Sequence, residues 1–356
     1  MVMSSFDERN PVLYGGIDYG RVFITFTEHT EEKIVHGLIF QALLSALKER
    51  GVLLRDGQRT VLVDLGCGEG HTALEMIDAI NRIHPRGDGV NYYGLDADER
   101  FVQGTERLLN EVRRSKQLRV INVRQADVLD GKPLPIASMD RILATMGHVL
   151  YYAHSREGKN QTRRNIAAIV DGVTGLLGQD SLCLFVHSAD DCSLATLRAS
   201  VTISVEAKPA GIVADIAKAK QLEMASFTAP FKVHFPRLAS EQWEDTKRPS
   251  SYSAVRNIHD PRFIATLELL TFIAQRDLSS LAAQGALGAF VDDLRTQIDS
   301  AGAFAGVSDY QLMLSRKQSP GLKENVELAV RQVEQSLDRI GRESEEAFDH
   351  RAQETT

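Results

Sequence analysis

The stretch Val61-Leu62-Val63-Asp64-Leu65-Gly66-Cys67-Gly68-Glu69-Gly70 decides how this chain reads. Thr60–Leu65 is a short apolar run rich in β-branched residues, the pattern of a buried strand. It ends in glycines at 66, 68 and 70, and a helical pattern starts directly after, at His71. Gly66 permits a tight turn, and Gly68 lets a ligand lie against bare backbone. The helix start offers N–H groups that have no helical partner. Nucleotide cofactors of many kinds use such a strand-to-helix turn. The spacing here is not the G-x-G-x-x-G of a dinucleotide pyrophosphate site, so a nicotinamide oxidoreductase is disfavoured. No Gly-Lys-Ser/Thr is present to grip a phosphate.

Outward from this loop, strands and helices alternate. His71–His84 reads as a helix and Val90–Asp96 as a strand. Asp96, at the end of that strand, can accept hydrogen bonds from both hydroxyls of a ribose. Glu99–Lys116 reads as a helix and Arg119–Val123 as a strand. Gln125-Ala126-Asp127-Val128 follows, where Asp127 can accept from an exocyclic adenine amine. Ser138–Ala144 reads as a strand, Asn160–Leu177 as a helix and Leu182–His187 as a strand. Strands separated by helices predict a parallel sheet covered on both faces.

The flanks are less regular. Residues 1–29 are mixed and aromatic-rich. A helix is expected from Thr30, a suitable N-cap, to about Arg50, with Glu31 and Glu32 in its first turn. Gly211–Leu222 and the ranges 260–277 and 283–300 look helical. Phe227–Phe235 and Asp309–Ser315 look like strands. A charged helix over 321–348 carries Val326, Val330, Val333, Leu337 and Ile340 as a heptad-like seam. Docking on its own body is favoured over a partner helix, and the polar end from Glu343 is expected to fray. The resulting division is 1–58, an N-terminal helical cap; 59–190, a cofactor-binding core; 191–318, the rest of the sheet with a substrate-covering helical insertion; and 319–356, a C-terminal helix and tail.

Composition narrows the partners. The 356 residues are 43% hydrophobic and 25% charged, ordinary globular values. The 41 basic and 48 acidic residues give −7, so no positive excess favours nucleic acid. No apolar run approaches the roughly 20 residues that span a bilayer. The start of the chain has no apolar signal core. These features predict a soluble cytoplasmic protein, monomer or homodimer, with a small-molecule substrate and neither nucleic acid nor membrane as partner. Cys67, Cys183 and Cys192 show no metal-ligand spacing, and no metal is expected. They read as small reduced residues.

The loop Asp64–Gly70 with Asp96 and Asp127 resembles the class I S-adenosylmethionine-dependent methyltransferases over about residues 61–187. The resemblance implies a Rossmann-like α/β fold: a mostly parallel seven-stranded sheet with helices on both faces. It also implies a helical N-terminal cap, a helical addition after the fifth strand, and a closing antiparallel hairpin from about 227–235 and 309–315. S-adenosylmethionine is the implied cofactor. Asp64, Gly66 and Gly68 would flank its methionine part, Asp96 its ribose and Asp127 its adenine. Cys67, Ala97, Ala126, Val128 and Gly147 adjoin them in the implied site. The plain alternative for Asp96 is a cap on the next helix.

A finer resemblance lies in Asp140–Tyr152, which is similar to the fourth-strand segment of histamine N-methyltransferase and its relatives. His148 stands at the polar position, normally a glutamine, and Tyr151 and Tyr152 at the tyrosine pair. These three are the implied catalytic residues. Glu28-His29-Thr30-Glu31-Glu32 resembles that family's H-S-T-E-H stretch. It implies Glu31 as the acid that meets substrate, with Glu28 one turn earlier as the fallback and Asp309 from the last strand. The implied reaction is in-line methyl transfer to a nitrogen of an amine or imidazole-type small molecule. Methylation of a ring carbon, as in an indole, stays open, as does binding of S-adenosylmethionine without transfer.

Overall fold

The computed structural model describes residues 19–54, 60–85, 89–128, 134–153, 159–190, 192–201, 208–248, 260–274 and 276–354. Seven strands form one sheet: β1 (Thr60–Leu65), β2 (Val90–Asp96), β3 (Leu118–Gln125), β4 (Leu143–Gly147), β5 (Leu182–Ser188), β6 (Met224–His234) and β7 (Ala303–Leu314). Their order is β3-β2-β1-β4-β5-β7-β6. The first five are parallel, and β7 runs antiparallel to both neighbours. This is the Rossmann-like seven-stranded fold that the sequence implies. The chain leaves β1 toward β2 on one side and returns to β4 on the other, which opens a crevice at the strand ends.

Helices cover both faces. One face carries α1 (Tyr19–Glu28), α2 (Glu32–Glu49), α3 (His71–Ile83) and α4 (Glu99–Val112), and the apolar sides of α2, α3 and α4 join one core with Leu62, Tyr92 and Leu184. The other face carries α5 (Lys159–Leu176) and α7 (Pro209–Ala219), whose Ile166, Val170, Val213 and Ile216 pack with Val63, Met146 and Phe185. Alternate residues of β1, β2, β4, β5 and β7 feed the two cores, as the pleat requires. Among the described residues no helix is long and apolar enough to cross a membrane.

Several elements differ from the sequence reading. β4 starts at Leu143 rather than Ser138, because Arg141 takes a left-handed backbone (φ 56°) and Met139 makes only an isolated bridge to Leu177. The aromatic-rich N-terminal stretch contains helix α1, and α6 (Ser193–Val201) follows β5. β6 and β7 form the expected antiparallel pair, each strand starting earlier in the chain than 227 and 309. Among the described residues, four helices lie between them: α8 (Ser240–Thr246), α9 (Pro261–Ala274), α10 (Leu278–Ala283) and α11 (Leu287–Gln297).

The charged C-terminal segment is two helices, α12 (Leu322–Glu334) and α13 (Leu337–Glu354). Val326, Val330, Val333 and Ile340 are buried, with α12 against α2, so the seam docks on the chain's own body. The end from Glu343 is helical rather than frayed. Phe348 stacks on His234 at 4.2 Å, and Glu345 pairs with Lys232 at 2.6 Å.

Candidate active site

The glycine loop is built onto the end of β2. The N–H groups of Gly66 and Cys67 both donate to the Leu95 carbonyl, at 2.7 and 3.0 Å. Gly66 has φ 86°, and a Cβ there would lie 2.2 Å from Val149 Cγ2, so only glycine fits. The Gly68 N–H donates to Asp96 Oδ2 at 2.9 Å, and its carbonyl accepts from Thr105 Oγ1 at 2.6 Å. A Cβ on Gly68 would meet nothing within 4 Å, so the outer face of the loop is open.

Asp96 is not the helix cap. Asp98 takes that role, its side chain accepting from the Arg100 N–H at 2.8 Å. Asp96 Oδ1 accepts from the Asp98 N–H at 2.9 Å. Each Asp96 oxygen thus holds one backbone donor and keeps a second acceptor direction. Burial raises the Asp96 carboxyl above its usual range, against the backbone donors that favour its charge.

Asp64 lies deeper, 5% exposed. Tyr92 donates to its Oδ2 and Thr145 to its Oδ1, each at 3.1 Å. Burial still pushes its carboxyl up to about 6. Cys67 is buried, and burial, then Asp64 and Asp96, raise its thiol. It is therefore a small filler rather than a nucleophile. All three cysteines are free and buried.

Ala126 donates its N–H to the Asp96 carbonyl at 2.8 Å, and Gln125 Nε2 donates to the Ala97 carbonyl at 3.0 Å. Asp127 is half-buried just past β3, Val128 is buried beside it, and Gly147 is exposed at the end of β4. The implied cofactor residues therefore come from the C-terminal ends of β1 to β4, at the crevice. An acid with spare acceptor directions beside an open glycine face can take a pair of ribose hydroxyls. No lysine in the loop calls for a phosphate.

Across the crevice stands His148. Its backbone is left-handed (φ 56°), and its N–H donates to the Val186 carbonyl at 2.8 Å. Its Nε2 lies 3.3 Å from Glu32 Oε1. Ser308 Oγ donates to the same Glu32 oxygen at 3.3 Å. His36, one turn after Glu32 on α2, stacks on His148 with ring centres 5.4 Å apart. Tyr310 meets His36 edge-on at 5.5 Å. Burial, then Lys33 and Arg198, hold the His148 imidazole well below the usual histidine range. Burial, then His148 and Lys33, do the same to His36. Burial raises the Glu32 carboxyl.

The other substrate-side residues do not gather with them. Glu31 is buried, but its Oε1 lies 2.8 Å from His234 Nε2. A helix turns about 100° per residue, so Glu31 and Glu32 diverge, and Glu32 is the acid that reaches His148. Glu28 is exposed, and its carbonyl accepts from Arg351 on α13. Asp309 points to the opposite face of the sheet from Ser308 and Tyr310, by the pleat. There burial, then Asp190, push its carboxyl up to about 6, and its neighbour Gln311 donates to the Ala210 carbonyl. Tyr151 and Tyr152 lie in a short 3-10 turn, Leu150–Ala153, and their side chains fall outside the described residues. Sequence reading missed Glu32 and His36. Their signal was an acid and a histidine four apart on one helix face.

No family model and no curated protein matches the chain. Similar solved structures include a provisionally assigned sarcosine dimethylglycine methyltransferase from Galdieria sulphuraria. It is 14% identical, covers 78% of this chain and 85% of its own, and has a TM-score of 0.42. The MccD protein is 12% identical over 77% of this chain and 96% of its own, TM-score 0.41. The [4+2]-cyclase SpnF is 16% identical over 77% of this chain and 81% of its own, TM-score 0.39. The likeness is one of general layout.

Proposed function

We propose that this chain is an S-adenosylmethionine-dependent methyltransferase acting on a nitrogen of a small amine or imidazole-type acceptor. The observation that carries the reading is the Asp96 carboxylate, closed onto the Gly68 N–H at 2.9 Å beside an open loop face. In this reading Asp96 takes the ribose hydroxyls, Asp127 the adenine amine, and Asp64 with Gly66, Cys67 and Gly68 the methionine end. Ala97, Ala126, Val128 and Gly147 complete the wall. The cofactor supplies a methyl on a sulfonium, a good leaving group.

The chain then has to align the acceptor and keep it neutral. A half-buried neutral imidazole at His148 suits proton acceptance from an acceptor N–H, with Glu32 at 3.3 Å to orient the ring. Tyr151 and Tyr152, in the turn after His148, would close over the acceptor. Glu32 replaces Glu31 and Glu28 as the acid on this side, and Asp309 is left as a second-face acid.

Calorimetric titration with S-adenosylmethionine and S-adenosylhomocysteine tests the reading, alongside Asp96→Ala. Binding by the wild type, with affinity falling at least about 100-fold in the variant, is expected from losing two charge-assisted hydrogen bonds. No binding of either ligand by the wild type overturns it. A screen of amines, imidazoles and indoles, read by S-adenosylhomocysteine release, then separates transfer from binding alone. NMR assignment of the methylated atom separates a nitrogen from a ring-carbon acceptor.

A further inference from the structure

Glu32, His36 and His148 each offer one ligand atom, and these atoms lie within 4.8 Å of one another. Glu32 and His36 stand one turn apart on α2, so they share a helix face. His148 arrives from the end of β4 on a left-handed backbone, a conformation uncommon outside glycine. His36 is 9% exposed, and its Nε2 has no hydrogen-bond partner among the described residues. The Tyr310 hydroxyl, set edge-on to the same ring, is also buried without one. Buried polar atoms are nearly always satisfied, so two orphans around one carboxylate call for a missing partner. Lys33 lies over the Phe23 ring at 5.6 Å, and Arg198 donates to the Ile273 carbonyl at 3.0 Å.

The geometry points to a divalent transition-metal site formed by Glu32, His36 and His148 on the acceptor side of the crevice. Two imidazoles and one carboxylate suit zinc, cobalt, nickel or iron, not the all-oxygen cages of calcium or magnesium. An ion about 2.0–2.2 Å from each ligand would draw the three side chains together and give the His36 orphan its partner. Three protein ligands leave a position open for water or a chelating amine. Ser308, donating to Glu32 Oε1, would orient the carboxylate from outside. The site shares His148 and Glu32 with the acceptor side of the methyl-transfer reading, where a bound ion would take the place of His148 as proton acceptor. None of its ligands belongs to the glycine loop or to Asp96.

Cobalt(II) is the probe. Protein stripped with a chelator is expected to take up one cobalt per chain, with a visible ligand-field spectrum. Ser308→Ala should weaken cobalt binding about 10–100-fold, because the Glu32 carboxylate loses the hydrogen bond that orients it. His36→Asn and Glu32→Gln should weaken it further than that. Cobalt uptake by wild type no greater than by the His36→Asn, Glu32→Gln double variant overturns the site. X-ray absorption of the wild-type cobalt complex needs no variant: two imidazole scatterers are expected, and none overturns the proposal. S-adenosylhomocysteine titration of the stripped protein reports the cofactor site separately, so failure of one reading is distinguishable from failure of the other.

Discussion

At the scale of single residues, two glycines of one loop have different duties. Both adopt left-handed backbone, so alanine at either costs about 1–2 kcal/mol in strain. At Gly66 the new methyl would also run into Val149, adding about 1–3 kcal/mol of overpacking. At Gly68 it would meet no protein atom and would project into the open face. Gly66→Ala should therefore lower the melting temperature more than Gly68→Ala. Gly68→Ala should lower S-adenosylhomocysteine affinity at least about tenfold, the loss of about 1.4 kcal/mol of contact. Calorimetry of both variants checks the pair, and the opposite ordering would contradict the open-face reading. These glycines were legible in the sequence because each backbone requirement admits few residue types. Glu32 was not legible as the pocket acid. Its choice over Glu31 depends on where α2 begins, and Thr30 sets that start by accepting the Glu32 N–H at 3.1 Å while bridging to Val233 on β6.

At the scale of elements, α2 is the helix on which the rest of its face is assembled. α3 approaches it at Gly37, where a Cβ would lie 3.2 Å from Glu75 Oε2. That oxygen is buried without a partner among the described residues, and burial pushes the Glu75 carboxyl up to about 7, against Lys33 and Arg351. The folded pKa is raised, so the stabilisation is complete below the unfolded value near 4.5 and disappears as pH rises through 7. The loss across that window is about 3 kcal/mol. Glu75→Gln carries no charge at any of these pH values. It should be more stable than wild type at pH 8, with the gap closing at pH 5. Urea unfolding at both values checks this, and a gap independent of pH would contradict it. On its other side α2 receives α12, whose Val333 is fully buried. Val333→Ala should cost about 1–3 kcal/mol by transfer and cavity terms. Denaturant unfolding checks the size. A neutral result would mean that α12 is an appendage, not part of the body. The heptad-like seam was readable as a buried stripe. Its partner was not, because a/d spacing alone does not say which surface it meets.

At the scale of the whole molecule, two helices that the sequence did not announce, α1 and α6, pack with one that it did, α9. α1, α6 and α9 come from distant parts of the chain and hold one another. Phe26 stacks on Phe272 with ring centres 3.9 Å apart, and Thr25 donates to Glu268 at 2.6 Å. Arg198 on α6 donates to the Ile273 carbonyl of α9 and to Ser188 at the end of β5, while Arg276 donates to the Val201 carbonyl. Strands buried on both faces announce themselves as apolar runs, but α1 owes its place to Phe272, about 246 residues away in sequence. No local pattern carries that contact. The cap and the cofactor crevice share few residues, so they should be separable. Phe272→Ala removes the stack from a half-buried position and should cost the cap about 2 kcal/mol, less than the 3–5 of a fully buried ring. Amide exchange in α1 and α9 should then speed up about 30-fold, while exchange in β1 and β4 stays unchanged. The acceptor KM should rise, and S-adenosylhomocysteine affinity should stay within about twofold, since among the described residues the loop from Gly66 to Gly70 makes no hydrogen bond to these helices. Exchange mass spectrometry with cofactor titration reads both arms. Faster exchange in the strands together with the cap would mean that α1, α6 and α9 open only with the whole fold, and an acceptor would then have to enter by another route.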